Sequence, residues 1–295
     1  MKQKLLVSFS GGETSAYMAQ WLWSHKQNEY EMIFVFANTG QENEETLFFV
    51  KQCEEYFKFP VVWIEAKVFH GQRKGNSFNL VSFDTASREG QPFEEIIKKH
   101  GIPNTTTPHC TRELKQVPIK SFAKSIGWNK YYTAIGIRED EIDRMNSKWR
   151  ENRLLYPLIH NNMQPMTKPK INFWWSQQPF RLQLKGYQGN CITCWKKSDN
   201  KLYQIAKENE RSFDFMGIME LKYGKYIPES RLKLMSARGE LPKLPTVFFR
   251  KNRSAIDIIN EAKANNFKVP QDDSTILEDF ENESCEVFSM CGVDN

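Results

Sequence analysis

Residues 5–22 leave this chain few options. Leu5, Leu6, Val7 and Phe9 form a short apolar run that reads as a buried strand. Ser10-Gly11-Gly12 follows, a bend that small residues make most readily. Ser15, Ala16, Met18, Ala19, Trp21 and Leu22 then recur at helical spacing, which predicts a helix over 14–26. A strand that breaks through glycines into a helix presents backbone N–H groups at the helix start. The positive end of the helix dipole points the same way, so the bend is a natural anion site. An ordinary tight turn is the plainer reading of the same residues.

The alternation continues. Residues 31–36 read as a second buried strand running into Asn38-Thr39-Gly40. Residues 42–57 carry Leu47, Phe48, Val50 and Phe57 on one helical face, and residues 60–64 give a third strand. This βαβαβ order predicts an α/β fold, a doubly wound and mostly parallel sheet, whose ligands sit at the carboxyl ends of the strands. The polar turns at 10–15 and 38–42 both fall on that edge. Further on, 66–92 reads as a polar excursion, 92–99 and 117–126 as helices, 131–137 as a strand and 154–159 as an apolar segment. Residues 161–188, rich in Pro, Asn, Gln and aromatics, read as an irregular cover, and 200–222 and 254–266 as helical. The expected division is an α/β nucleotide-binding domain with a Cys-rich site over 1–197, and a mainly helical, basic appendage over 198–295. Its tail from Gln271 is acidic and expected to be partly loose.

No apolar run approaches the ~20 residues of a membrane span. No secretory leader precedes the polar turn at 8–12, so a soluble, cytoplasmic protein without a membrane partner is expected. Six cysteines in 295 residues do not resemble a secreted disulfide framework, and Cys-x-x-Cys in a cytosolic chain reads as metal or redox chemistry. The net charge of +5 suits an anionic substrate or a nucleic acid and is specific for neither.

Four constellations carry chemistry. The bend supplies Ser10, Gly11, Gly12, Thr14 and Ser15. The second strand ends in Asn38-Thr39-Gly40-x-Glu42-x-x-Glu45-Thr46, which also reads as a capped helix start. Gly136-Ile137-Arg138-x-x-Glu141-x-x-Arg144 follows a strand, and arginine offers a planar fork for phosphate or sulfate oxygens. Two arginines with carboxylates between them also suit a solvated helix face. Cys110-Thr111-x-x-x-Lys115-x-x-Pro118 is answered about eighty residues on by Cys191-Ile192-Thr193-Cys194. Buried core thiols are the plain alternative. Cys53 sits on the apolar side of a helix and reads as core. The basic stretch 222–253 interleaves Tyr223, Tyr226, Phe248 and Phe249, a composition found both in nucleic-acid grips and on solvated surfaces.

In order and spacing these motifs resemble the sulfonucleotide (APS/PAPS) reductase-like families of the PP-loop adenine nucleotide α-hydrolases. The resemblance covers about residues 5–197. It implies that Ser10, Gly11, Gly12, Thr14 and Ser15 bind the phosphates of ATP or APS/PAPS. It implies that backbone groups of Phe36, with Asn38, Thr39 and Gly136, form an adenine pocket. Arg138, Arg144 and Lys115 would contact the reacting group. Cys110, Cys191 and Cys194 would hold a metal centre: a [4Fe–4S] cluster, or zinc, with His109 or a small ligand completing the set. Sulfonucleotide reduction or ATP-dependent sulfur transfer would follow, with tRNA or DNA as acceptor, a thiol or ferredoxin-type electron donor, and a homo-oligomer among the implied partners. A non-catalytic nucleotide- or nucleic-acid-binding protein with a structural zinc is the competing reading.

The chain departs from the family in three places. Thr111 stands where a second cysteine would be. Glu13 and Thr14 replace the Lys and Asp common in ATP pyrophosphatase loops, which removes a cation and a magnesium contact. The end of the chain has Cys291-Gly292 without the reductases' flanking Glu and His, and neither Cys291 nor Cys285 reads as a nucleophile.

Overall fold

The computed structural model describes residues 2–71, 74–189, 191–239 and 243–274. The opening run forms β1 (Gln3–Ser8) and the helical repeat forms α1 (Glu13–His25). There follow β2 (Tyr30–Asn38), α2 (Glu44–Phe57), β3 (Val61–Lys67), β4 (Ser77–Val81) and α3 (Gln91–His100). A π-helical turn at Arg112–Gln116 leads into α4 (Val117–Ser125), and then come β5 (Tyr132–Ala134) and β6 (Leu154–Leu155). Helices α5 (Lys168–Ser176), α6 (Asp199–Glu208), α7 (Asp214–Tyr223), α8 (Glu229–Ala237) and α9 (Ala255–Ala264) complete the described chain.

The strands form one sheet in the order β4-β3-β2-β1-β5-β6, parallel except where β4 runs against β3. Alternate residues of β1 and β2 feed opposite faces. Leu5, Val7, Phe34 and Phe36 pack with α1, α2 and α5 on one side. Leu6, Val35 and Ala37 pack with Ile119, Phe122 and Ala123 of α4 on the other. Both faces are therefore covered, which is why these strands read as continuous apolar runs. The order reverses at β1, so the crevice for a ligand lies where the loops after β1 and β5 meet.

A third cluster joins Phe93, Ile96 and Ile97 of α3 to α6, α7 and α9, with Trp195, Phe248 and Phe249 at its centre. It draws residues from both sides of residue 197.

Three segments differ from the sequence reading. The excursion at 66–92 contains β4, an edge strand whose Leu80 is 65% exposed, so it lacks the burial that marks a strand in sequence. The cover at 161–188 contains α5, whose Ile171 and Trp175 are buried against the sheet. The strand expected over 131–137 leaves the ladder early. Gly136 lies against Ser15 at the start of α1, and the chain must turn aside there.

Among the described residues no helix is long and apolar enough to cross a membrane. The acidic tail beyond Ser274, with Cys285 and Cys291, lies outside the described residues, as does Asn190.

Candidate anion cleft and thiol cavity

The bend after β1 is closed by its own side chains. Ser15 Oγ accepts from Ser10 N at 3.2 Å, donates to Gly12 O at 3.0 Å and lies 2.9 Å from Ser10 Oγ. Gly11 has φ +84°, and a Cβ there would stand 2.7 Å from Thr46 Cγ2. Only glycine fits that position. Gly136 is packed closely as well, since a Cβ would meet Ser15 Cα at 3.1 Å, though its backbone carries no positive φ. This close approach brings the β5 loop onto the start of α1.

Arg138 follows directly. It is buried, and Nη1 donates to Thr14 Oγ1 at 3.1 Å. Asp140 grips the other edge, at 3.1 Å to Nε and 2.9 Å to Nη2. Glu141 Oε2 lies 3.3 Å from Nη1 and also accepts from Arg138 N. The guanidinium is thus held beside the first turn of α1, where the partial positive charge of the helix adds to its own. Arg144 pairs with Glu141 and is not among the residues lining the cleft.

The cleft in front of the bend spans about 900 Å³ when its broad mouth, open to solvent, is counted. Its walls carry Lys168, Lys185, Lys197 and Lys201 besides Arg138. Two of these lysines are paired, Lys168 with Asp273 and Lys185 with Glu208, and Glu13 at the edge of the cleft is paired too. Arg181 holds both its oxygens, at 2.9 and 3.0 Å, and Trp175 Nε1 donates to its carbonyl at 2.9 Å. Lys168, Arg181, Lys197 and Lys201 escaped the sequence reading because they come from distant segments. The one sequence signal was the pair of lysines, Lys196 and Lys197, directly after the Cys-x-x-Cys.

The three cysteines line a second, small cavity of about 30 Å³, walled by Phe93, Leu114, Trp195 and Met216. The Cys-x-x-Cys segment is stitched to the loop after β2. Ile192 N donates to Gln41 O at 2.9 Å, and Glu42 and Cys191 form an isolated bridge. Thr39 Oγ1 lies 3.5 Å from Cys191 Sγ, and Lys115 Nζ lies 3.5 Å from Glu42 Oε1 in a buried ion pair. Lys115 belongs to the π-helical turn, a local irregularity common at functional sites. Burial, and then the Glu42 carboxylate, push the Cys191 thiol well up, against the pull of Lys115. Burial and Cys194 push Cys110 up as well. Thiols in such surroundings stay protonated unless a metal takes the proton's place. Among the described residues no group of three or more His, Cys, Asp or Glu side chains is gathered as a metal-binding set.

One segment walls both spaces. Gly189 and Lys197 face the cleft, and Cys191, Cys194 and Lys196 face the thiol cavity. Lys197 Nζ donates to Gly189 O, and Arg250 donates to the carbonyls of Lys196 and Lys197 at 2.9 Å each.

Other expected site residues lie elsewhere. Asn38 is fully buried, donates to Glu65 Oε1 at 2.6 Å and to Ser87 O at 2.8 Å, and accepts from Gly40 N. Phe36 is in the β2–β3 ladder with its ring against Trp63. Neither lines the cleft, because both are held by the sheet. Thr39 lines the thiol cavity. The His109 ring packs on His100 and lies outside the thiol cavity, with burial pushing its pKa down to about 4. Cys53 is buried in the core. In the basic stretch, Lys222 pairs with Glu94 and Arg253 with Asp199 and Glu261, while Phe248 and Phe249 are buried and cannot stack on bases.

No family model matches the chain. The uncharacterized nin region protein ORF290 of Escherichia phage lambda is 30% identical over 292 residues, which cover 96% of this chain and 94% of that protein. The chain belongs to the ORF290 family. The match to ORF290 runs over nearly the full length of both chains. The uncharacterized protein MJ0066 of Methanocaldococcus jannaschii is 25% identical over 221 residues, 70% of this chain but 39% of that longer protein.

Proposed function

We propose that this protein is a PP-loop enzyme of the sulfonucleotide reductase type. It binds an adenine nucleotide, ATP or APS/PAPS, in the cleft, beside an iron–sulfur centre held by Cys110, Cys191 and Cys194. The observation that carries this reading is the shared wall: Gly189 and Lys197 line the cleft with the glycine bend, and Cys191, Cys194 and Lys196 line the thiol cavity.

The backbone N–H groups at the start of α1 receive phosphate or sulfate oxygens. Arg138, fixed by Asp140 and Thr14, offers its charge without reorganising, which is what makes such a group effective as charge develops. Lys197 and Lys201 close the opposite wall. Cys110, Cys191 and Cys194 line one apolar cavity, and cysteine thiolates are the ligands that hold iron–sulfur clusters. When bound, such a cluster supplies electrons or an iron open to a sulfur ligand. The reaction is then sulfonucleotide reduction or sulfur transfer to an ATP-activated acceptor.

Anaerobic purification tests the reading. The expected protein is brown, with iron and sulfide in equal amounts, and loses both in Cys191→Ala but not in Cys53→Ala. One zinc and no iron, with no nucleotide binding, would overturn it.

A further inference from the structure

Asp273 stands out among the groups that line the cleft. Its side chain is only 8% exposed, and its Oδ1 takes no hydrogen bond. The cation paired with it is Lys168, whose Nζ lies 3.8 Å from that oxygen. A buried carboxylate oxygen left this way is costly and calls for a partner.

The backbone around it is nonetheless fixed. Gly186 N and Ser274 N donate to Asp272 Oδ1 at 3.0 and 3.1 Å. Asn172 donates to Asp273 O at 2.8 Å, and Arg181 donates to Ser274 O at 2.9 Å. Every anchor uses an atom other than the Asp273 carboxylate. Gly186 makes room for that carboxylate, since a Cβ there would stand 1.8 Å from Oδ1. The segment is built to hold one acid at the edge of a cation-lined cleft.

Among the described residues the other carboxylate lining the cleft is Glu13, and Arg181 occupies both its oxygens. The Thr14 hydroxyl, also on the cleft wall, accepts from Arg138. Magnesium characteristically binds through one or two carboxylates plus the phosphates of a nucleotide. We propose that Asp273 is the carboxylate ligand of a divalent cation that enters the cleft with the nucleotide's phosphates. The cation offsets the repulsion between Asp273 and the phosphate chain, and the anchored backbone presents the ligand in advance. This rests on the nucleotide reading of the cleft.

The test is calorimetric binding of ATP to the full chain, with excess Mg²⁺ and with EDTA, in wild type and Asp273→Asn. Wild type is expected to bind about tenfold tighter with Mg²⁺, and the variant to lose that difference, the scale seen when a metal site loses a supporting group. Electron paramagnetic resonance of Mn²⁺ with ATP should show a protein-bound ion in wild type and none in the variant. Should Asp273→Asn not fold, Asp273→Glu keeps the charge, moves the ligand by a methylene and is expected to weaken the Mg²⁺ dependence. An unchanged Mg²⁺ dependence in the variants would overturn the assignment. Tighter ATP binding by Asp273→Asn with and without metal would also overturn it, making the carboxylate a plug. Both results leave the nucleotide reading intact. Failure of wild type to bind ATP under either condition would overturn both.

Discussion

Arg181 grips both carboxylate oxygens of Glu13, at 2.9 and 3.0 Å, and so pairs an acid of the glycine bend at the edge of the cleft. This acid is paired by an arginine from a segment 168 residues later in the chain. Removing that arginine leaves a buried, unpaired carboxylate at the edge of the cleft where we propose that the nucleotide's phosphates bind. Arg181→Ala is expected to weaken nucleotide binding about tenfold and to destabilise the fold by ~2 kcal/mol, below the ~3–5 kcal/mol for breaking a fully buried pair because Arg181 is partly exposed. Glu13→Gln in the same chain should restore most of the affinity. Calorimetry and urea unfolding check both effects.

The bend depends on Gly11. Its φ of +84° and the 2.7 Å approach of Thr46 Cγ2 penalise any side chain there. Gly11→Ala is expected to lower stability by ~2–3 kcal/mol through backbone strain and overpacking together. Urea unfolding at constant pH measures it. A loss within ~0.5 kcal/mol, the range of neutral surface changes, would contradict this account of the bend.

Much of this was visible before any coordinates. The apolar run of β1, its glycines and the α1 repeat sit in consecutive residues, so local periodicity reports them directly. Arg138 was legible for the same reason, two residues past a glycine at a strand end. Lys168, Arg181, Lys197 and Lys201 were not, because what gathers them is the packing of α5 and the segments at 181–189 and 197–201 around the cleft. Asn38 misled because a polar residue at a strand end looks alike whether it faces a ligand or caps Glu65. β4 was missed because an edge strand half open to water lacks an apolar signature.

Glu220 gives the helical extension a pH dependence. It is mostly buried and accepts from Phe248 N at 3.0 Å and Ala255 N at 2.8 Å, and burial raises its pKa to about 7 against these bonds. The folded state therefore holds the proton more tightly than the unfolded chain, whose value is near 4.5. Its contribution to stability is full below pH 4.5 and is lost as pH rises to about 7. Urea unfolding of wild type from pH 5 to pH 8 should show a downward component of a few kcal/mol at most that is absent in Glu220→Gln. Identical slopes in the two proteins would remove Glu220 as the cause.

Arg250 braces the shared wall through the carbonyls of Lys196 and Lys197. Arg250→Ala leaves the thiols and the cleft lysines in place but loosens the segment that joins them. Nucleotide affinity and metal retention are expected to fall together, each about five- to tenfold, as for supporting groups around a metal. Loss of one without the other would show that the two cavities are supported separately.

The central claim is that a nucleotide in the glycine-bend cleft and a cysteine-held iron–sulfur centre share one wall and sense each other. The most direct measurement is titration of ATP into anaerobically prepared, reduced protein while following the electron paramagnetic resonance of the centre. The account predicts a change in the signal that saturates at the same ATP concentration as calorimetric binding. Nucleotide binding that leaves the signal unaltered, or protein that carries no iron, would contradict it.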